Sequence, residues 1–488
     1  MNHHLSPAPR LWLARSAWVL LASGFSQLAL AVDTVAVDAV VTFQRMDGFG
    51  MSSRVFDDPH LFNNFDPNTG RALTVMSAAQ QDAVLDRLFI DLGLTRLRPA
   101  SPDTAVGAGI EPVNDNSDPY VTDLSQFSFA WKNLDAHVDM MVRAKQRGAT
   151  TFFLSPLSRE TWMGTTTAND VAEYAEWLLA QVRRSRDQGI VLPFLSVANE
   201  PSYSRNPMSG AFLRDVIKDL GPRLRAEGFA TLFVLSDDVR ASDAAAKAQI
   251  VLSDPVARPY VGALATHLYD EAVSNVGQLQ AIANQYQLPL WMTEFTVGAM
   301  GTAGLPANAF SWAALMHDLI ATYNVSAVDY LWGFFGQWEG NTTMLVTLNN
   351  NGATYQGMTL NKQYYTTGQY SRFVRPGARR IQALSSANTV LTTAYLDRSR
   401  LVVVAINTDT VDHTAAFTIN GVALPASATV QPTRTSASDD WATLNPLVVS
   451  GSAFTTTLAH NSVTTFVAST NDGIFVDGFE TPPLASHP

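Results

Sequence analysis

The chain has 488 residues, 47% of them hydrophobic and 15% charged, with 29 Gly, 24 Pro and no Cys. That composition is globular and excludes a disordered tail protein, a collagen and a disulfide-stapled miniature; the missing thiols also remove cysteine nucleophiles and Cys-ligated zinc. Lys plus Arg number 32 against 43 Asp plus Glu, a net charge of −11 that repels phosphate backbones and anionic lipid, so neither nucleic acid nor a membrane is expected as a partner.

Residues 1–31 read as a secretory signal: Arg10 and Arg15 precede an apolar stretch from Ala17 to Leu30 that ends in Ala29-Leu30-Ala31. The stretch is too short and too interrupted for a membrane span; the alternative is an uncleaved anchor. Residues 33–44 follow as a strand with alternating Val35, Val37 and Ala39.

From 45 to 376 one pattern recurs: a helix-period segment, a Gly that stops it, a short apolar run, then a polar residue. RLFIDLGLTRLRPA, RAKQRGATTFFLSP, RSRDQGIVLPFLSVANEP and RLRAEGFATLFVLSDD are its clearest copies, with Gly93, Gly148, Gly189 and Gly228 placed as left-handed C-caps. The spacing predicts strands at Arg45 to Gly50, Thr95 to Arg98, Thr150 to Ser155, Pro193 to Asn199, Thr231 to Ser236, Tyr260 to Thr266, Leu288 to Thr293 and Ala327 to Trp332. Helices are predicted at Ser77 to Leu92, with Ser77 as N-cap, Leu134 to Arg147, Asp170 to Gln188, Gly210 to Glu227 and Pro306 to Tyr323. Eight strands that lack strict alternation, separated by helices, fit a parallel sheet buried on both faces and closed as an α/β (β/α)8 TIM barrel; an open doubly wound sheet is the competing topology.

After Pro376 the helical period disappears. Thr, Ser, Val and Ala dominate 377–470, with runs such as Leu401 to Ile406 and Ser462 to Ala468 between turn residues, which predicts a β-sandwich side domain that the N-terminal strand joins. Residues 471–488, including IFVDGFE, read as a flexible tail.

In a barrel the chemistry sits where strands end. Those positions hold Arg98, Ser155, Asn199 with Glu200, Asp237 with Asp238, His267 with Tyr269, Glu294 and Trp332. A lone carboxylate ending a buried strand is more often a salt-bridge partner than a catalyst. Two across one mouth, Glu200 in SVANEPSY and Glu294 in WMTEFT, with Asn, His, Tyr and Trp on the same rim, supply what glycosidic cleavage needs: an acid, a nucleophile, hydroxyl-binding groups and an aromatic platform. Trp162, Trp332 and Trp338 are the stacking candidates, whereas Trp291, Trp177 and Trp312 read as core. No HExxH, GxSxG, GxxxxGK[ST] or strand-following GxGxxG occurs, and NDNSDP at 114–119 lacks EF-hand spacing and reads as a solvated loop.

DGFG at 47–50, SVANEP, ATHLYD at 265–270, WMTEF and GQYSRFVRPGARRI at 368–381, together with VVVAIN and SVTTFV, resemble glycoside hydrolase family 30, nearest its xylanase branch. The resemblance spans almost the whole chain after the signal. It implies a barrel whose side domain takes the N-terminal strand, Glu200 as general acid/base and Glu294 as nucleophile. It further implies that Asn199 binds the sugar 2-hydroxyl, that Tyr269 and His267 orient Glu294, that Arg98 lies beside it and that Trp332 floors the cleavage subsite.

Two departures bear on substrate. Family members commonly carry SPW and a Pro pair after the third strand, where this chain has Ser155-Pro156-Leu157-Ser158-Arg159-Glu160, and Leu157 offers no flat platform. Xylan-acting members that grip glucuronate use an arginine after strand eight, yet Trp332 to Asn361 contains no Arg or Lys. The expectation is a secreted, cofactor-free, monomeric retaining β-glycosidase acting on a polysaccharide, an endo-β-1,4-xylanase first. An endo-β-1,6-glucanase or β-1,6-galactanase is the alternative within the family, and a non-catalytic carbohydrate-binding protein on the same fold is the alternative of another class.

Overall fold

The computed structural model describes residues 32–56, 58, 76–99, 109–130, 133–203, 207–297, 307–336, 343–351, 354–397 and 399–471. The expected signal, the IFVDGFE tail and Trp338 lie outside them. Among the described residues no helix is long and apolar enough to cross a membrane.

Strand β1 (Asp33–Arg45) belongs to the side domain, and eight further strands close the barrel: β2 (Gly48–Ser53), β3 (Arg96–Pro99), β4 (Thr151–Leu154), β5 (Phe194–Ser196), β6 (Leu232–Asp238), β7 (Val261–Thr266), β8 (Leu290–Phe295) and β9 (Val325–Leu331). All neighbours are parallel, and the pairing of β2 with β9 closes the ring, which rules out the open sheet. The first barrel strand begins three residues later than the spacing predicts, because Arg45 still pairs with Arg379 in the side domain. Strand β5 ends early, at Ser196; Val197 to Asn199 bend away, and the Asn199 N–H bonds the Pro156 carbonyl at 2.8 Å.

Helices α1 (Ala78–Leu85, continued as a π-helical turn to Asp91), α2 (Asp135–Lys145), α3 (Ala168–Asp187), α4 (Gly210–Ala226), α5 (Ala241–Leu252), α6 (Val276–Tyr286) and α7 (Ala309–Ala321) lie between barrel strands. Ser77 caps α1 in a capping box with Gln80, and Thr167 does the same for α3 with Asp170. Gly93, Gly148, Gly189 and Gly228 take φ values of 70°, 97°, 93° and 78°, the left-handed geometry that lets each helix stop and the chain turn into the next strand.

The segment after β9 is more than a loop. It forms β10 (Phe334–Gly336), β11 (Val346–Asn351) and β12 (Thr354–Leu360), a three-stranded sheet, and then α8 (Lys362–Ser371). Its strands are short and rich in Asn, Thr and Gly, so they carry almost no hydrophobic period to read.

The side domain continues with β13 (Arg379–Ser385), β14 (Val390–Asp397), β15 (Arg400–Asn407), β16 (His413–Asn420), β17 (Thr429–Thr435), β18 (Ala442–Thr443), β19 (Leu447–Val448), β20 (Ala453–Leu458) and β21 (Ser462–Ser469). Strand β1 joins it, antiparallel to β13 and parallel to β16. The two ends of the sheet fold over one core, where Phe417 of β16 stacks on Phe454 of β20 at 4.6 Å and meets Phe466 of β21 at 5.2 Å. The unbroken apolar run of β15 has a physical reason: Leu401, Val403 and Ala405 enter that core, while Val402, Val404 and Ile406 point the other way and join the barrel's core with Tyr364 and Tyr370 of α8. Gly368 of α8 is required small, since a Cβ there would lie 2.1 Å from the Trp441 ring.

Inside the barrel Arg96 and Asp329 form a fully buried bidentate pair, at 2.8 and 3.0 Å, with the guanidinium 4.1 Å from the Trp291 ring centroid. Gly50 of the DGFG motif makes the room: a Cβ there would meet Asp329 at 2.2 Å and Arg96 at 2.4 Å. Removing one partner of such a pair strands a charge in the core. Asp329→Ala is therefore expected to destabilise the chain by about 3–5 kcal/mol in urea denaturation, and a loss below about 1 kcal/mol would contradict that role.

Candidate active site

One guanidinium gathers the barrel mouth. Arg98, fully buried near the end of β3, donates to Ser52 Oγ of β2 at 3.1 Å, Ser155 Oγ after β4 at 3.2 Å, Asp237 Oδ2 of β6 at 2.9 Å and Glu294 Oε2 of β8 at 3.0 Å. It also donates to Asn199 Oδ1, which follows β5. Burial alone would lower its pKa, but the carboxylates of Asp237 and Glu294 outweigh that and raise it, so the charge is permanent.

Asp237 is the counter-charge, a role that its place among the strand-end residues does not by itself reveal. Fully buried and in a left-handed conformation (φ 56°), it accepts from Arg98, from Thr293 Oγ1 at 2.6 Å and from Ser155 Oγ, and its Oδ1 lies 3.3 Å from His267 Nε2. Burial pushes its pKa up, yet Arg98 and His267 hold it well below the carboxylate range. The signal was present in the sequence, for Asp237 ends an apolar run as Glu200 and Glu294 do.

His267 follows β7. Its Nδ1 lies 2.8 Å from Glu200 Oε1 and 4.0 Å from Glu294 Oε1, so its shorter contact is with Glu200 and not, as the resemblance implies, with Glu294. Burial opposes its positive charge, but Glu294, Asp237 and Glu200 raise its pKa to about 10, and the imidazolium donates to Glu200 on one side and Asp237 on the other.

Glu200 sits on a strained turn with φ 46°, its N–H bonded to the Asp237 carbonyl at 2.8 Å. Asp238 secures that turn: it accepts the Ser202 N–H at 3.0 Å and the Lys247 ammonium at 2.9 Å. Glu294 lies within β8 and receives the Tyr269 hydroxyl at 3.0 Å opposite Arg98. The side chains of Glu200 and Glu294 are 14% and 12% exposed, open enough to meet a ligand. One oxygen of each and a His267 ring nitrogen all lie within 4.8 Å of one another.

That trio has the span of a cation site. Its donor set argues for another use, because the fixed charge of Arg98 and the Tyr269 hydroxyl already occupy Glu294, and protonated His267 faces Glu200. Trp332 follows β9 at the same rim, 5.2 Å from the Phe335 ring and 5.4 Å from the Arg54 guanidinium. Trp162 lies in the loop after β4, where its indole N–H bonds the Glu111 carbonyl at 2.8 Å. In NDNSDP the polar side chains bond nearby backbone, as Asn114 does with the Asn116 N–H and Asp118 with the Tyr120 N–H.

Residues 62–312 match the Glycosyl hydrolase family 30 TIM-barrel domain. The chain belongs to that family. It is thereby a glycosidase. A Glucuronoxylanase XynC from Bacillus subtilis (strain 168) is 29% identical over 312 residues, covering 62% of this chain and 67% of that protein. A family 30 subfamily 8 xylanase, Xyn30A, from Clostridium acetobutylicum shares the fold at TM-score 0.68 and 22% identity, over 89% of this chain and 99% of that one. The endo-β-1,6-glucanase BT3312 does so at TM-score 0.66 and 18% identity, over 90% and 95%.

The raised pKa of His267 has a consequence for stability. A histidine lifted from 6.5 to about 10 by folding stabilises the native state fully below pH 6.5 and progressively less as pH climbs to 10. The melting-temperature gap between the natural chain and His267→Gln is expected to narrow over that window, and a gap that widened with pH would contradict a protonated His267.

Proposed function

We propose that this family 30 glycosidase is an exported, retaining enzyme that cleaves a β-glycan internally by double displacement, with β-1,4-xylan as its first substrate. The observation that carries the reading is the approach of Glu200 and Glu294: one oxygen of each lies within 4.8 Å of the other, which favours a retaining pair, whose carboxyl groups stand about 5–5.5 Å apart, over an inverting pair at about 6.5–9.5 Å.

Glu294 attacks the anomeric carbon as Glu200 passes a proton to the departing glycosidic oxygen, leaving a glycosyl ester on Glu294. Water then attacks the same carbon, Glu200 takes its proton, and Glu294 departs as a carboxylate. Arg98 on Oε2 and Tyr269 on Oε1 fix the plane of Glu294 for in-line attack. Asn199, held by Arg98, turns its amide toward the sugar 2-hydroxyl, and Trp332 provides the floor.

Xylan comes first because the Bacillus relative is named a glucuronoxylanase and the junction motifs resemble the xylanase branch. The absence of Arg and Lys from 332–361 predicts that glucuronate side groups are not required. The fold shared with an endo-β-1,6-glucanase keeps β-1,6-glucan as the second reading. Export rests on the signal-like residues 1–31 and suits a polymer that cannot enter a cell.

Proton NMR of xylan-oligosaccharide digests should show the β-anomer first. Glu200→Ala should lower kcat by about 10²–10⁴-fold, and Glu294→Ala should cost more. First appearance of the α-anomer would overturn the double displacement, whereas turnover of β-1,6-glucan alone would move the substrate and keep the mechanism.

A further inference from the structure

On the outside of the barrel, α3 and α4 enclose a groove of about 510 Å³ lined by Tyr120, Thr165, Thr166, Ala211, Asp215 and Lys218 among others. That volume falls within the range of small-molecule sites, about 300–1,000 Å³. Tyr120 is 67% exposed, an unusual place for a ring of its size, and it is not loose. Its hydroxyl donates to Asp219 Oδ2 at 3.1 Å, its N–H donates to Asp118 Oδ1 at 3.1 Å, and the Arg223 guanidinium covers one face at 4.1 Å from the centroid. The opposite face is left to solvent as a rigid flat surface whose ordering cost is already met in the fold.

A flat aromatic face bordered by hydroxyls, a carboxylate and an ammonium is complementary to a sugar ring, which offers an apolar C–H face and a rim of hydroxyls. Asp215, Asp219 and a net charge of −11 select against a polyanion, so the occupant is a neutral chain. The groove also opens toward the catalytic face: Thr165 and Thr166 close the loop after β4, and α4 starts just after the loop that carries Glu200. We infer that the α3–α4 groove is a second glycan-binding site, which holds a segment of the polymeric substrate outside the catalytic cleft. This rests on the polysaccharide reading above and adds a place where the polymer is held without being cut.

The test compares the full chain with Tyr120→Ala, which removes the platform, and Ala211→Trp, which fills the groove from an exposed position on α4 and leaves Tyr120 in place. Retention on insoluble xylan and insoluble β-1,6-glucan is measured in the cold, beside kcat/KM on a soluble tetrasaccharide that the cleft alone can hold. Both variants should lose retention on the preferred polymer by at least about fivefold with tetrasaccharide turnover unchanged. Unchanged retention in either variant would overturn the inference, as would reduced self-association with polymer binding intact, which would assign the patch to a second copy of the chain. Retention is read independently of turnover, so polymers bound through the groove and never cut would contradict the substrate assignment and leave the groove standing.

Discussion

A guanidinium buried in the mouth of a barrel can keep its charge only among carboxylates, and Arg98 is surrounded by them. Asp237 meets it from β6 and Glu294 from β8, while Asn199, Ser52 and Ser155 take its remaining hydrogens. Breaking such an arrangement leaves a buried charge unpaired, so the strand ends that supply these partners are held in one register relative to one another. The geometry of the barrel mouth is thus fixed before any ligand arrives. Glu294 is clamped from both sides, and Glu200 is coupled through His267 to the same Asp237 that neutralises Arg98. A single network positions both carboxylates and keeps them close.

The rest of the fold supports that network from below and from the side. The Arg96–Asp329 pair and the Trp291 ring fill the barrel interior beneath it, and Asp47 binds the Trp291 indole N–H at 2.8 Å where the chain enters from β1. The side domain packs against α7 and α8, with Gln369 of α8 bonded to Thr435 and Thr465 across the junction. Arg375 of the FVRPG segment reaches back to the Gly93 carbonyl at the end of the first barrel helix. The N-terminal strand lies between β13 and β16, so the two ends of the folded chain meet in one sheet.

Much of this was legible in the sequence because it follows from local periodicity. Helices that end in Gly and strands that end in polar residues repeat often enough to announce a barrel, and two glutamates ending apolar runs mark its mouth. What escaped depends on contacts across the fold. Asp237 ends a run just as Glu200 does, but nothing in SDD tells a hub from a rim; its role appears only when Arg98, Thr293 and His267 converge on it. Resemblance pairs His267 with Glu294, which stands 4.0 Å away, and adds no sign of the shorter contact that the bend at Val197 to Asn199 creates by bringing Glu200 to its Nδ1. The β10–β12 sheet is small, and although Phe334, Phe335, Val346 and Leu348 bury an apolar face in the barrel's core, its strands are too short and too interrupted by Asn, Thr and Gly to show a period in the sequence.

In the proposed double displacement Glu294 attacks the anomeric carbon while Glu200 protonates the glycosidic oxygen that leaves. Covalent trapping tests this most directly. A 2-deoxy-2-fluoro β-xylobioside with a good leaving group slows release of the glycosyl ester, and mass spectrometry of the digested protein locates it. The expected product is a single disaccharide adduct on the peptide that contains Glu294. An adduct on Glu200 or another side chain, or steady turnover with inverted configuration and no adduct, would contradict it.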